Sequence, residues 1–156
     1  MAMKIQTYEY VDSLRFGQST KTDCVAVYGR PNSVRKNRYD VEEFHYDDFV
    51  LRFDPSDETL RECTLLPRKK AFIGDIPVTW DRAFLVAACT EDGSPVDAYG
   101  FIVMRKLGIA VTGIHDDDAS QLAVTAFSKG EFDEFMESAK PFDVTSIDVL
   151  GSDFEQ

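Results

Sequence analysis

The chain predicts an α+β fold, an antiparallel sheet with helices packed on one face. Three observations predict it. Short segments rich in β-branched and aromatic residues recur at hairpin spacing, and other stretches carry a helical period between caps. An apolar content of 44%, with twelve phenylalanines, supplies a core for 156 residues despite 29% charged side chains.

Taken in order, "TYEYVDSLRFG" mixes apolar and polar residues and ends at Gly17, a turn signal. In "QSTKTDCVAVYGRP", Ser19 or Thr20 caps a short helix, Asp23 supports its first turn, and Gly29 stops it before Pro31. "VEEFHY", "FVLRFD" and "TLRECTLL" then read as a three-stranded meander, broken at Asp47-Asp48 and at Pro55-Ser56-Asp57. In the middle strand Phe49, Leu51 and Phe53 alternate with Val50 and Arg52, which gives one apolar face.

"PRKKAFIGDIPV", with the basic triplet Arg68-Lys69-Lys70 and turn signals at Gly74-Asp75 and Pro77, reads as a boundary between two parts. Next, Thr79 is a candidate cap for a helix in which Trp80, Ala83, Phe84, Ala87 and Ala88 share a face, ending at Asp92-Gly93. "GFIVM", "GIAVTGI" and "QLAVTAF" are strand-like. "SKGEFDEFMESAKPF" closes with a helical pattern that puts Phe132, Phe135 and Met136 together. The expected organisation is one compact domain, 1–156. Two similar helix-plus-strands halves, 1–70 and 71–140, followed by an acidic tail 141–156, fit the same pattern.

Charge is unevenly placed. The chain carries −11, and Ile114–Gln156 alone holds eleven acidic against two basic residues, a local charge of −9. Such a field repels nucleic acid and anionic membrane and attracts a basic partner. No apolar run reaches the ~20 residues that cross a bilayer, and "MAMKIQTYEYVDSLRFG" lacks the apolar centre of a signal peptide. Cys24, Cys63 and Cys89 are odd in number, far apart and set among apolar neighbours, which predicts reduced, buried thiols in a cytoplasmic protein.

The segment "GIHDDDASQLAVTAF" is the obvious place to look for chemistry. Zinc needs converging His and Cys ligands, but the two histidines, His45 and His115, are seventy residues apart and no paired-cysteine motif accompanies them. A calcium loop beginning at Asp116 fails at Ser120, lacks its turn glycine, and has Phe127 where the bidentate Glu belongs. As a general base, His115 has no nucleophile or oxyanion motif beside it. No Walker A, G-x-S-x-G or G-x-G-x-x-G sequence occurs. The residues predict neither a catalytic set nor a cofactor.

"FGQSTKTDCVAVYGRPNSV", "FHYDDFVLRFD" and "TLRECTLL", within residues 14–66, resemble the SmpA/OmlA and β-lactamase-inhibitor-protein-like domains, whose helices pack on a small antiparallel sheet. "LGIAVTGIHDDDASQLAVTAFSKGEFDEF" resembles segments of bacterial immunity proteins of polymorphic and type VI secretion systems. That second resemblance implies a cytoplasmic protein that binds and neutralises a cognate toxin, often a nuclease, in the cell that makes it. An acidic inhibitor suits a nuclease because the enzyme's phosphate-holding surface is basic. The expected toxin-binding residues are Asp116, Asp117 and Asp118 with Glu131, Asp133, Glu134 and Glu137. Two alternatives stay open: a small metal-dependent hydrolase using His115 to Asp118, and a non-catalytic adaptor subunit.

Overall fold

A computed structural model describes residues 2–145. The fold is α+β; the described residues form two α-helices and two sheets in which antiparallel pairing dominates. It opens with β1 (Met3–Gln6), β2 (Tyr10–Val11) and β3 (Leu14–Arg15), followed by α1 (Lys21–Tyr28). Four strands come next: β4 (Ser33–Lys36), β5 (Glu42–His45), β6 (Phe49–Phe53) and β7 (Leu60–Leu65). A hairpin of β8 (Ala71–Ile73) and β9 (Ile76–Pro77) leads to α2 (Arg82–Asp92). The chain continues through β10 (Val96–Ala98), β11 (Phe101–Met104), β12 (Ile109–Thr112), β13 (Ala123–Phe127) and β14 (Lys140–Pro141).

Both helices begin for chemical reasons. Thr20 caps α1 reciprocally: its hydroxyl accepts the Asp23 amide at 3.3 Å, and the Asp23 carboxylate accepts the Thr20 amide at 2.9 Å. The second helix departs from the sequence expectation. Its cap is Asp81, whose carboxylate accepts the Phe84 amide at 3.2 Å, while Thr79 donates its hydroxyl to Asp81 at 2.6 Å. Trp80 therefore precedes the helix, with φ of 61°, and its indole donates to the Lys69 carbonyl at 3.0 Å. A short acidic acceptor beats Thr79 because it satisfies the first-turn amides directly.

The larger sheet has nine strands in the order β14-β10-β11-β12-β13-β7-β6-β5-β4. Two four-strand meanders meet where β7 pairs antiparallel with β13, Cys63 opposite Ala126. The smaller sheet runs β3-β2-β1-β8-β9, with β1 and β8 parallel, so strands from residues 3–15 and 71–77 share it. The "PRKKAFIGDIPV" stretch thus belongs to this second sheet, which the sequence did not predict. Lys69 of its basic triplet lies 3.5 Å from Asp48 and over the Phe49 ring.

Register explains the core. One row crosses six strands as Phe44, Leu51, Cys63, Ala126, Ile109 and Met104, every one buried. Against this face pack Cys24 of α1, Phe84, Leu85, Ala88 and Cys89 of α2, and Met3, Ile5, Ala71 and Ile73 of the small sheet. Full burial of each large apolar side chain contributes roughly 1.5–3 kcal/mol. Both helices lie on this one face.

The other face divides in two. Over the β10–β13 half, the segment after β13 folds back and buries Ala98, Val103, Ala110 and Phe127 beneath Phe132, with Met136 alongside. That segment is a 3-10 helix, Asp133–Ser138, rather than the α-helix its periodicity suggested. Its start at Phe132 has no side-chain cap, which removes the usual anchor for an α-helical first turn. Over the β4–β7 half, the same face stays open. Of the tail, Phe142 and Val144 pack against the main core; Ile147, Val149, Leu150 and Phe154 lie outside the described residues. Among the described residues, no helix is long and apolar enough to cross a membrane.

Candidate functional site

The acidic loop, residues 113–122, joins β12 to β13 and is pinned from several directions. Gly113 has φ of 87°, and a Cβ there would meet the Leu122 Cα at 2.6 Å, so only glycine allows this approach. Asp118 caps a 3-10 turn at Ala119–Gln121, accepting the Ser120 amide at 3.1 Å. The Thr112 hydroxyl donates to the Gln121 carbonyl, and the Arg82 guanidinium at the start of α2 holds Asp117. Asp116 projects outward from this frame, its side chain half exposed, with His115 Nε2 4.0 Å away.

His115 itself is mostly buried, edge-on to the Phe142 ring. Its Nδ1 is buried with no hydrogen-bond partner among the described residues. Also among the described residues, no group of three or more His, Cys, Asp or Glu side chains converges as metal ligands would.

The second predicted cluster sits elsewhere. Glu131 is turned inward, its side chain 11% exposed, and accepts from Arg61 Nε. Asp133 faces Arg105 at 3.5 Å. Glu137 is exposed, and the backbone of Glu134 runs through the 3-10 helix. Arg105 precedes β12 whereas the acidic loop follows it, so Asp133 and Asp116–Asp118 lie toward opposite ends of that strand. The structure therefore does not join Asp133 and Glu131 to the loop in one patch. The reason is β13, which carries the chain about 17 Å away at ~3.4 Å per residue before residue 128 turns back.

A polar site absent from the sequence reading occupies the open face. Here the register sets Arg35, Glu43, Arg52 and Glu62 side by side across β4 to β7, with charge alternating at each step. Such opposite-charge cross-strand neighbours stabilise a sheet modestly. Arg52 Nε donates to Glu43 at 2.8 Å, and its Nη1 donates to Thr64 and lies 3.5 Å from Glu62. His45 Nε2 is 2.9 Å from Glu43, and the Thr64 and Thr125 hydroxyls meet at 2.9 Å. Where the row ends, Arg52, Arg61, Glu62 and Glu131 line a pocket of about 490 Å³ together with Asn37, Tyr39, Val41 and Phe132.

Two acids of this face are perturbed in opposite directions. Burial, then a hydrogen bond and repulsion from Glu131, push the Glu62 carboxyl up to about 8, against the pull of Arg52 and Arg61. Burial also acts to raise Glu43, but hydrogen bonds from Arg52 and His45 outweigh it and hold that carboxyl below its ordinary range. The signal for this face was present as alternation: Glu43 and His45 flank Phe44, and Glu62 and Thr64 flank Cys63. Which alternating residues become neighbours depends on register, which no single strand encodes.

The three thiols are buried, and burial pushes Cys24, Cys63 and Cys89 each up to about 12. They are poor nucleophiles at neutral pH. No family model matches the chain, and neither curated proteins nor solved structures give a significant match.

Proposed function

We propose that this chain is an immunity-type protein that binds a cognate bacterial toxin, a basic nuclease effector, and neutralises it in the cytoplasm of the producing cell. It acts by stoichiometric occupation of a cationic surface and catalyses no reaction. The observation that supports this most is the pinned acidic loop. Asp116 is presented on a frame fixed by Gly113, by the Asp118 cap and by the Arg82–Asp117 ion pair. A loop already held in its bound shape loses little conformational freedom on binding, so its charge is available for docking.

Of the predicted contact residues, Asp116, Asp117 and Asp118 form the leading edge in this reading. Glu137 and Asp133 add a separate negative region that steers the encounter at longer range. Glu131, turned inward against Arg61, contributes through the pocket it lines.

The test is co-expression of the full chain with the product of the adjacent gene in a toxin-sensitive host. A 1:1 complex and restored growth, both lost on charge reversal of Asp116, Asp117 and Asp118, are the expected results. Turnover of a substrate by the purified protein with divalent metal, abolished by His115→Ala, would instead establish the hydrolase alternative.

A further inference from the structure

The large sheet ends at β4, which pairs with β5 and, among the described residues, with no second strand. Its hydrogen-bonding phase is set at the hairpin. The Asn37 amide donates to the Val41 carbonyl at 3.0 Å, and the register then places Lys36 opposite Glu42, Arg35 opposite Glu43 and Val34 opposite Phe44. Backbone groups of an antiparallel strand alternate in direction. Arg35 therefore bonds inward to β5, while the N–H and C=O groups of Val34 and Lys36 face the open edge.

Both side-chain rows stop unfinished at this edge. On the open face, charge alternates from Glu62 through Arg52 and Glu43 to Arg35. On the core face, buried Cys63, Leu51 and Phe44 lead to Val34, which is 56% exposed. A further strand in register would set an acid beside Arg35 and an apolar residue beside Val34. The flanks carry the same preference. Residues 30–38 hold Arg30, Arg35, Lys36 and Arg38 and no acid, in a chain of net charge −11. Lys36 has Asp40 at 3.8 Å, whereas among the described residues Arg30, Arg35 and Arg38 make no ion pair.

Charged side chains on an edge strand deter pairing with apolar or basic strands. They favour an acidic one. A second copy paired antiparallel on this edge would bring Arg35 and Lys36 against their own counterparts, and nucleic acid has no peptide groups to extend the ladder.

We propose that β4 is a docking edge for an acidic, extended segment of a partner protein, added antiparallel as the next strand of the sheet with a carboxylate beside Arg35 and an apolar side chain beside Val34. Peptide hydrogen bonds to Val34 and Lys36 supply affinity, and the alternation of acid and apolar residue supplies selectivity. The edge lies four strands from β13 and the acidic loop, about 19 Å at ~4.8 Å per strand. It stands apart from the toxin-binding reading.

The experiment titrates the full chain with a blocked eight-residue peptide of alternating Glu and Val, following backbone amide resonances and hydrogen exchange. Three probes run beside it: the same peptide with Lys in place of Glu, the Glu-Val peptide with its backbone amides N-methylated, and an eight-nucleotide oligothymidylate. The Glu-Val peptide is expected to shift the resonances of residues 33–36 and to slow exchange at Val34 and Lys36 by about tenfold or more at saturation. Each of the other probes should bind at least about tenfold more weakly. Val34→Pro removes one outward N–H without touching a bond to β5 and should weaken binding by about tenfold. Arg35→Gln, an exposed change that removes the charge, should weaken it by about threefold. Equal affinity for the Lys or N-methylated peptide, or full affinity in either variant, overturns the proposal. Oligothymidylate binding as tightly would assign the edge to nucleic acid, and protection of Val34 and Lys36 that grows with protein concentration alone would assign it to a second copy; either overturns it too. Asp116→Lys should leave peptide binding unchanged, so this edge and the toxin complex fail separately.

Discussion

Glu62 on β7 and Glu131, four residues beyond β13, bring their carboxyls into hydrogen-bonding contact on the open face of the large sheet. Seventy residues apart in sequence, the β7 region and Glu131 are also tied through Arg61, which holds Glu131 from the residue next to Glu62. Two acids thus meet in a pocket that also contains Arg52, and Glu62 is the one that keeps a proton well above pH 4.5.

That proton couples stability to pH. Glu62 is harder to ionise in the folded chain than in the unfolded one, so the folded state holds its proton more tightly. The resulting stability is complete below about pH 4.5 and is lost as pH rises through about 8. Glu62→Gln should therefore lose less stability than the wild type across that interval, with a difference of up to about 5 kcal/mol at alkaline pH. Urea denaturation at a series of pH values measures it, and parallel curves for the two proteins would contradict it. Glu43 acts oppositely: its ion pair stabilises above its ordinary range and is lost on acidification.

Asp92 at the end of α2 is 1% exposed and accepts three backbone amides, Lys106 at 2.8 Å, Leu107 at 3.1 Å and Ser94 at 3.1 Å. It fastens the helix to the turn between β11 and β12. Asp92→Ala should cost about 3 kcal/mol by orphaning buried donors. Asp92→Asn retains one acceptor oxygen for Lys106 and Leu107 and should cost less, about 1–2 kcal/mol. Thermal unfolding of both variants checks the order.

Gly113 offers a test of loop shape at constant charge. Gly113→Ala places a methyl against the Leu122 backbone at 2.6 Å and strains a φ of 87°. It should destabilise the chain by about 2–3 kcal/mol and weaken the toxin complex although no carboxylate changes. Calorimetry on the folded variant separates the two effects; unchanged affinity would mean that the shape of this loop is irrelevant to binding.

How much of this was legible in the sequence depended on how local the signal was. The Thr20-Asp23 box, the Gly29 stop and the alternation in Phe49-Leu51-Phe53 are set by neighbours a few residues away, and the structure has them. The short strands β4, β10 and β14 gave too few residues for a period, and the pairing of β1 with β8 joins segments about seventy residues apart. The acidic loop was visible as Asp116-Asp117-Asp118, but the Arg82 that fixes it comes from another element. Glu62 looked like an ordinary strand acid. Its importance arises from register with Arg52 and from the fold-back that brings Glu131, neither of which is written in its own segment.

Docking of a negative surface on a cationic protein is tested most directly by stopped-flow association with the adjacent gene's product at several salt concentrations. The predicted result is a rate constant that falls steeply with salt in the wild type, and by about tenfold or more at low salt in Asp116→Lys/Asp117→Lys/Asp118→Lys, converging at high salt. Identical rates and salt slopes for wild type and variant, with both proteins folded, would contradict it.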